Sequence, residues 1–343
     1  MTDTAITQAI KAIARHEQLD PMTLEQAFNA MLSGDAAPEE IGALLTGLAV
    51  RGETSAELVA GALAMRAAGR RHLVEGPVLD TCGTGGLNWT SLNTSTAAAI
   101  VIAGAGGHVA KHGNRSVPPK TGSADVLEAL GVNIDIDDET FQACLDEAGV
   151  AFMFAPAHHS AMRHVAPIRK KLGIRTIFNL LGPLTNPAGA QHQVVGVFSP
   201  DWVRPMAEAL RIIGTTHSLV VHGVDGIDEI SVSGDTLVAE IGHGEINEYT
   251  LTPAMMGLRP SPMSALAGGS PEHNAESIRK LLNGEPGPFR NIVCANAGAG
   301  LYVLREAESL AAGVTLASEA IDSGRANLAL QRLVAVSNGE EVT

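Results

Sequence analysis

The stretch Val78-Leu79-Asp80-Thr81-Cys82-Gly83-Thr84-Gly85-Gly86, with Asn93-Thr94-Ser95-Thr96 and Lys111-His112-Gly113-Asn114-Arg115 behind it, decides the fold. Val78 and Leu79 read as a buried strand that Asp80 ends, and the glycines follow at once. Glycine reaches positive φ and lets a ligand approach main-chain N–H groups. Asn93, Thr94 and Ser95 are residue types that cap helix starts, and Ala97 to Ala103 has good helix composition. Strand, glycine loop and helix N-terminus in that order make a place to hold an anion. A second strand, His108 to Ala110, is predicted to deliver Lys111, His112 and Arg115 into another loop. Ser123 then caps the next helix, with Asp125 in its first turn where the dipole favours negative charge. Two loops, two helix starts and a local group of cations predict a ligand with more than one phosphate.

The composition narrows the class of protein further. The chain of 343 residues is long enough for two domains or one large one, and 45% hydrophobic residues bury a core without difficulty. Aromatic residues make up only 3%, so Ala, Leu, Ile and Val fill that core. Cys82, Cys144 and Cys294 are far apart and odd in number, which argues against a disulfide framework or a metal cluster and for a reducing compartment. No basic region followed by an apolar stretch opens the chain, and the longest apolar run, around Ala97 to Ala105, falls short of the roughly 20 residues of a membrane helix. The expectation is a soluble, cytoplasmic protein with no membrane partner. A formal charge of −14 disfavours nucleic acid, which needs a broad basic face. A phosphate ligand is still accommodated. Salt screens charges beyond about 8–10 Å, whereas one opposite charge at ~4 Å and an effective dielectric near 20 is worth roughly 4 kcal/mol before desolvation. Lys111, Arg115 and Lys120 in one loop therefore outweigh distant carboxylates.

Residues 1–72 read as a small helical bundle. Ile6, Ile10 and Ile13 have helical spacing, and Leu24, Phe28 and Leu32 repeat it. Pro38 opens a segment with Ile41, Leu44, Leu45 and Leu48, and Ser55 precedes another with Leu58, Leu63 and Met65. From residue 73 to 343, strands and helices alternate. Asp137 to Gly149 reads as a helix, Val150 to Phe154 as a strand, Gln193 to Phe198 as a strand, Trp202 to Ile213 as a helix and Ser218 to Val221 as a strand. Residues 236–250 suit two short antiparallel strands, and the chain is helical and alanine-rich from Glu272 onward. Such alternation predicts an α/β protein, its central sheet mostly parallel and flanked by helices, with ligands beyond the carboxyl ends of the strands. The Pro- and His-rich segment before the turn signals at Gly182-Pro183 and Asn186-Pro187 reads as a crossing back to the helical bundle, near residues 165–188, and a return. Lys170 and Lys171 there read as a solvated helix face.

The glycine loop alone also suits a dinucleotide, but that fingerprint wants a glycine opening the helix and an acidic residue about 20 residues on. Here polar Asn93 to Thr96 opens the helix, and the later stretch Gly104 to Ala110 has no carboxylate. The Lys111–Arg115 stretch is more specific, and with it the sequence resembles the anthranilate phosphoribosyltransferase family. The likeness covers nearly the whole chain. It includes Gly83 to Gly86, Asn93-x-Ser95-Thr96, Lys111 to Arg115, Gly122 to Gly131, Arg175 to Pro187, His222-Gly223 and Asp228-Glu229.

The resemblance implies a nucleoside phosphorylase/phosphoribosyltransferase-like fold and transfer of phosphoribose from 5-phosphoribosyl diphosphate to anthranilate, in tryptophan biosynthesis. It implies a homodimer through the helical domain and a requirement for Mg2+. The donor positions it implies are Gly83, Gly86, Leu87, Ser91, Asn93, Thr94, Ser95, Thr96, Lys111, His112, Gly113, Asn114, Arg115 and Ser123, with Lys111 and Arg115 as the catalytic cations. Gly83, Asn114, His159 and Arg169 are implied for anthranilate, and Ser95, Asp228 and Glu229 for the metal. These residue types suit the chemistry. Breaking the bond from sugar carbon to diphosphate builds charge on the leaving group, which fixed donors and cations stabilise. Magnesium takes oxygen ligands from a few carboxylates and substrate phosphates, and guanidinium grips a carboxylate through two parallel hydrogen bonds.

Three departures stand out. Leu87 occupies a position where the family usually has Asp, Pro118-Pro119 replace small hydroxyl residues, and Asn88-Trp89 bring an amide and an indole into the loop. Prolines lack N–H donors and fix φ, so that loop is expected to be stiffer and to offer fewer backbone contacts. Two other readings are a pyrimidine nucleoside phosphorylase, which shares the fold, and a non-catalytic relative that binds nucleic acid.

Overall fold

A computed structural model describes residues 3–72, 74–85, 89–116 and 121–341. Four helices open the chain: α1 (Ala5–Ala14), α2 (Pro21–Ser33), α3 (Pro38–Arg51) and α4 (Ser55–Ala68). Their starts carry the expected chemistry. Asp20 caps α2 ahead of Pro21, and Thr54 and Glu57 form a reciprocal capping box on α4. Then come β1 (Leu79–Gly83), α5 (Thr94–Gly104), β2 (Val109–Gly113), α6 (Ser123–Leu130), α7 (Asp138–Ala148) and β3 (Val150–Phe154). Short helices α8 (Ala155–His158), α9 (Ala166–Leu172) and α10 (Phe178–Leu181) lead to β4 (His192–Gly196), α11 (Val203–Ile212) and β5 (His217–Gly223). The hairpin β6 (Thr236–Gly242) and β7 (Glu245–Leu251) precedes α12 (Pro271–Leu282), α13 (Pro288–Val303), α14 (Leu310–Asp322) and α15 (Arg325–Ser337).

The seven strands lie in the order β3-β2-β1-β4-β5-β6-β7. The first five are parallel and the last two antiparallel. The chain builds outward from β1 to β3 and then returns to the other side of β1 with β4, so the strand order reverses between β1 and β4. In sheets of this kind that reversal opens a crevice at the carboxyl ends of the strands.

Side chains alternate across the sheet and separate two cores. Val194, Leu219 and Val221 join the cluster made by α5, α7 and α12–α15, whereas Val195 and Val220 join a cluster with α11 and the N-terminal helices. Phe178, Leu180 and Leu181 of α10 belong to the second cluster, and α9 packs against α3. The segment around 165–184 therefore lies against the first four helices. Not every apolar residue of the helical pattern faces inward. Leu63 is 46% exposed, since the buried face of α4 runs through Leu58, Gly61, Ala62 and Met65 instead. Lys170 and Lys171 are exposed, as a solvated helix face requires.

Two boundaries differ from expectation in ways that matter for the site. Asp80 does not end β1: it lies inside the strand, fully buried. Likewise, β2 does not stop at Ala110 but continues to Gly113, so Lys111 and His112 are strand residues, paired in register with Phe152 and Met153. A charged residue inside a strand breaks the usual apolar signal. It is tolerated here because Asp80 and Lys111 offset one another's charge on neighbouring strands.

Candidate active site

The reversal point carries a cavity of about 350 Å³ lined by residues 82–85, 89–96, 111–116 and 121–123 together with Asp228 and Glu229. It brings together the loops that leave β1 and β2, the start of α5 and the acidic pair from the segment after β5. Gly83, Ser91, Asn93, Thr94, Ser95, Thr96, Lys111, His112, Gly113, Asn114, Arg115, Ser123, Asp228 and Glu229 all line it. Gly86 and Leu87 lie outside the described residues, as do Asn88, Pro118, Pro119 and Lys120.

Lys111 is 3% exposed, and its ammonium group donates to the Thr81 carbonyl and to Ser95 Oγ at 3.2 Å. Burial holds its pKa below the ordinary lysine value, and the Asp80 carboxylate opposes that fall. Asp80 receives the His112 backbone N–H at 3.1 Å on one oxygen, and the other has no hydrogen-bond partner among the described residues. The start of α5 is open. Asn93 occupies the cap position but makes no side-chain cap bond, because its amide is engaged by Thr121 and Asn274. The Thr94 N–H donates instead to the Leu92 carbonyl at 2.9 Å and the Ser95 N–H to the Glu229 carboxylate, and the positive end of the helix dipole faces the cavity behind them. Thr96 Oγ1, also at the helix start, is buried and has no partner among the described residues. Ser123 does not cap α6 either: Gly122 does, and Asp125 accepts its N–H at 2.8 Å and that of Ser116 at 3.1 Å. A Cβ on Gly122 would lie 2.5 Å from the Asn114 carbonyl oxygen, so glycine lets the second loop fold onto the helix.

The acidic pair is packed against glycines. Asp228 accepts the Gly85 N–H at 2.8 Å, and a Cβ on Gly83 would sit 2.5 Å from its carboxylate. Burial raises the Asp228 pKa, and the Gly85 N–H limits the rise. Glu229 is pushed up to about 8, first by burial and then by the neighbouring Asp228, while Lys111 pulls it down. It keeps some exposed surface and lines the cavity. Two adjacent carboxylates this poorly solvated call for a cation. Among the described residues no three His, Cys, Asp or Glu side chains form a cage. An incomplete oxygen set of two carboxylates and the Ser95 hydroxyl fits Mg2+, which keeps water and takes substrate phosphates for the remainder.

Other positions stand further away or are committed elsewhere. Arg115 lines the cavity, yet its guanidinium makes a two-pronged pair with Glu128 and reaches Asp125 at 3.3 Å. His159 lines a neighbouring cavity of about 150 Å³ with Arg66 and Asn186, and its ring lies 5.2 Å from that of His112, edge to face. Among the described residues neither His159 ring nitrogen has a hydrogen-bond partner. His112 is pushed down to about 3 by burial and by His159 and His158, so it is a neutral imidazole at pH 7. Arg169 lines neither of these two cavities; it donates to Asn179 Oδ1 at 3.3 Å and lies 5.5 Å over the Phe178 ring. Thr90, Leu92, Ser116 and Thr121 also line the cavity and were not legible as such, because no local motif surrounds them.

A mostly parallel sheet with an anion-holding crevice at its reversal point, packed against a bundle of helices, defines a glycosyl transferase of the two-part kind. Residues 75–327 match the description "Glycosyl transferase family, a/b domain", and residues 7–69 match "Glycosyl transferase family, helical bundle domain". The chain is 61% identical over 337 residues to the anthranilate phosphoribosyltransferase of Hyphomonas neptunium, covering 98% of this chain and 99% of that one. The crystal structure of the enzyme from Thermus thermophilus superimposes with a TM-score of 0.91 at 47% identity, over 96% of this chain and 99% of that one. The Saccharomyces cerevisiae enzyme in complex with PRPP and Mg gives a TM-score of 0.89 at 26% identity, over 98% and 99%. The chain belongs to the anthranilate phosphoribosyltransferase family.

Proposed function

We propose that this chain transfers phosphoribose from 5-phosphoribosyl diphosphate to the amino nitrogen of anthranilate, giving N-(5-phosphoribosyl)anthranilate and diphosphate in tryptophan biosynthesis. The observation that carries the reading is the convergence of a buried lysine, an uncapped helix start and an acidic pair on one crevice. The leaving diphosphate gains charge as its bond to the sugar carbon breaks. The positive end of the α5 dipole and the Lys111 ammonium face that charge and need no reorganisation as it develops. Ser95, Asp228 and Glu229 would hold Mg2+, which when bound neutralises phosphate charge. The acceptor amine is neutral at pH 7 and attacks without first losing a proton, so no strong base is required. The direct test is the loss of anthranilate fluorescence on adding 5-phosphoribosyl diphosphate, with and without magnesium. No fluorescence change with magnesium present would remove the proposal.

Gly83, Asn114, His159 and Arg169 are assigned to the acceptor, with Arg169 meeting its carboxylate. Among the described residues Arg169 has no carboxylate partner, and burial lowers its pKa, which suits a guanidinium waiting for an anion. Arg169→Ala is expected to raise the KM for anthranilate at least tenfold and to leave the donor KM within about twofold, a charge-assisted hydrogen bond being worth about 1.5–3 kcal/mol. Steady-state kinetics with each substrate varied in turn would decide it. An unchanged anthranilate KM would remove Arg169 from the acceptor site.

The proposed division is a helical domain of residues 1–72, joined by the returning segment near 165–188, and an α/β domain of residues 73–343. A homodimer through the helical domain is part of the same reading. Met22 is 66% exposed and Val50 82% exposed on that part of the chain, and covering them is favourable at roughly 25 cal/mol per Å². A cytoplasmic enzyme without nucleic-acid or membrane partners completes it. No helix among the described residues is long and apolar enough to cross a membrane.

A further inference from the structure

Two buried asparagines, both far along the chain from the loops they hold, tie down the crevice from behind. Asn274 near the start of α12 is fully buried. Its Oδ1 accepts the Gly269 N–H at 2.8 Å, and its Nδ2 donates to the Ser91 carbonyl at 3.3 Å and to Asn93 Oδ1 at 2.8 Å. Asn93 passes the link on by donating to the Thr121 carbonyl at 3.0 Å, and the Thr121 hydroxyl closes the ring on the Gly269 carbonyl at 2.7 Å. The backbone reinforces it. Leu92 N–H donates to the Leu266 carbonyl at 3.0 Å, Gly268 N–H donates to the Thr90 carbonyl at 2.9 Å, and a Cβ on Gly268 would stand 2.2 Å from the Ser91 oxygen. The loops that leave β1 and β2 are therefore cross-tied to one another and to the segment before α12. Asn296 on α13 does the same for the acidic pair. Its Oδ1 accepts the Ile230 N–H at 2.9 Å, and its Nδ2 donates to the Ile230 carbonyl at 3.0 Å and to the Ile292 carbonyl at 2.9 Å. Ile230 directly follows Glu229.

An asparagine amide offers two donors and one acceptor oxygen, and here each of those groups is used. Carboxylate in the same place would set oxygen against oxygen at Ser91, Asn93, Ile230 and Ile292, and an aliphatic side chain would leave buried backbone groups unpaired. Each amide also dictates the position of a loop whose N–H groups or carboxylates face the ligand, and displacement of about 1 Å at such a place costs on the order of a hundredfold in rate.

We propose that Asn274 is a positioning residue for the donor diphosphate and Asn296 one for the metal-holding pair, neither touching a ligand; this rests on the transfer reaction proposed above. The test uses Asn274→Asp and Asn296→Asp in the full-length protein, followed by thermal melting and by kinetics with donor, anthranilate and Mg2+ each varied separately. Asn274→Asp is expected to raise the donor KM at least tenfold while the anthranilate KM stays within about twofold. Asn296→Asp is expected to raise the Mg2+ concentration for half-maximal rate at least tenfold, and excess Mg2+ to restore most of kcat. If either variant does not fold, Thr121→Val and Asn296→Ser give the same measurements with smaller shifts, of about threefold. A purely structural role lowers the melting temperature and the amount of active enzyme but moves no KM; that result, or an equal rise in both substrate KM values, overturns the proposal. Absence of transfer by the unaltered chain would instead count against the reaction itself, and calorimetric binding of 5-phosphoribosyl diphosphate with Mg2+ to the same variants would still decide the positioning roles.

Discussion

Lys111→Met is expected to reduce kcat by two to three orders of magnitude and to destabilise the fold at the same time. The catalytic part follows from the loss of one preorganised cation toward the leaving diphosphate, the kind of donor whose removal costs roughly 10²–10³ in kcat. The stability part follows from Asp80. Its carboxylate is fully buried and accepts the His112 N–H, and Lys111 is the strongest influence keeping it ionised. Removing one member of a buried charge pair costs about 3–5 kcal/mol, because the survivor stays buried and uncompensated. That is a large share of the roughly 5–15 kcal/mol that holds a domain together. Asp80→Asn combined with Lys111→Met removes the stranded charge. The double variant should therefore recover at least half of the lost stability in urea unfolding and none of the lost turnover. Equal stability of single and double variants would show that Asp80 does not depend on Lys111.

The same pair fixes a pH dependence with a definite sign. Burial raises the folded-state pKa of Asp80, and Lys111→Met would raise it further. A carboxyl group with a raised folded pKa binds more protons folded than unfolded, so its contribution to stability falls as pH rises. The window opens at the unfolded value of about 3.9 and closes at the raised folded value. Lys111→Met should accordingly lose stability across a wider upward pH range than the unaltered chain, as read by urea midpoints at several pH values.

How much of this was legible in the sequence depends on distance along the chain. Apolar runs such as Val150 to Phe154, punctuated by glycines and capped helices, are local signals, and the alternating strands and helices followed from them. The cradle of glycines, helix start and Lys111 was legible for the same reason. Asp80 was misread because a charge usually ends a strand, and only the neighbouring strand supplies the Lys111 that makes it tolerable. Arg115 looked like a second free cation; Glu128, in the second turn of the following helix, takes it up. Asn274 was invisible, since the residue it binds lies 181 positions earlier and no spacing announces it.

Replacing Asp228 and Glu229 together by Asn and Gln should abolish magnesium-dependent turnover, and Gly196→Ala should come close to the same result without removing a charge. The amide pair preserves size and the hydrogen bond to Gly85 while halting the gathering of negative charge that a hard divalent cation needs. Gly196 is the last residue of β4, directly opposite Gly83 in register. A Cβ there would lie 1.6 Å from the Asp228 carbonyl oxygen and 2.4 Å from its carbonyl carbon. These are backbone atoms, so rotamer change gives no relief, and the acidic segment must move off the sheet edge. Movement of about 1 Å or more carries both carboxylates out of register with the Ser95 hydroxyl and the α5 N–H groups. Titrating turnover with Mg2+ separates the two variants. The amide pair should show no magnesium response at any concentration. Gly196→Ala should retain a weakened one, shifted at least tenfold, because its carboxylates are displaced rather than lost. A normal Mg2+ titration for Gly196→Ala, or full activity of the amide pair, would mean that the metal is held elsewhere than at this edge of the sheet.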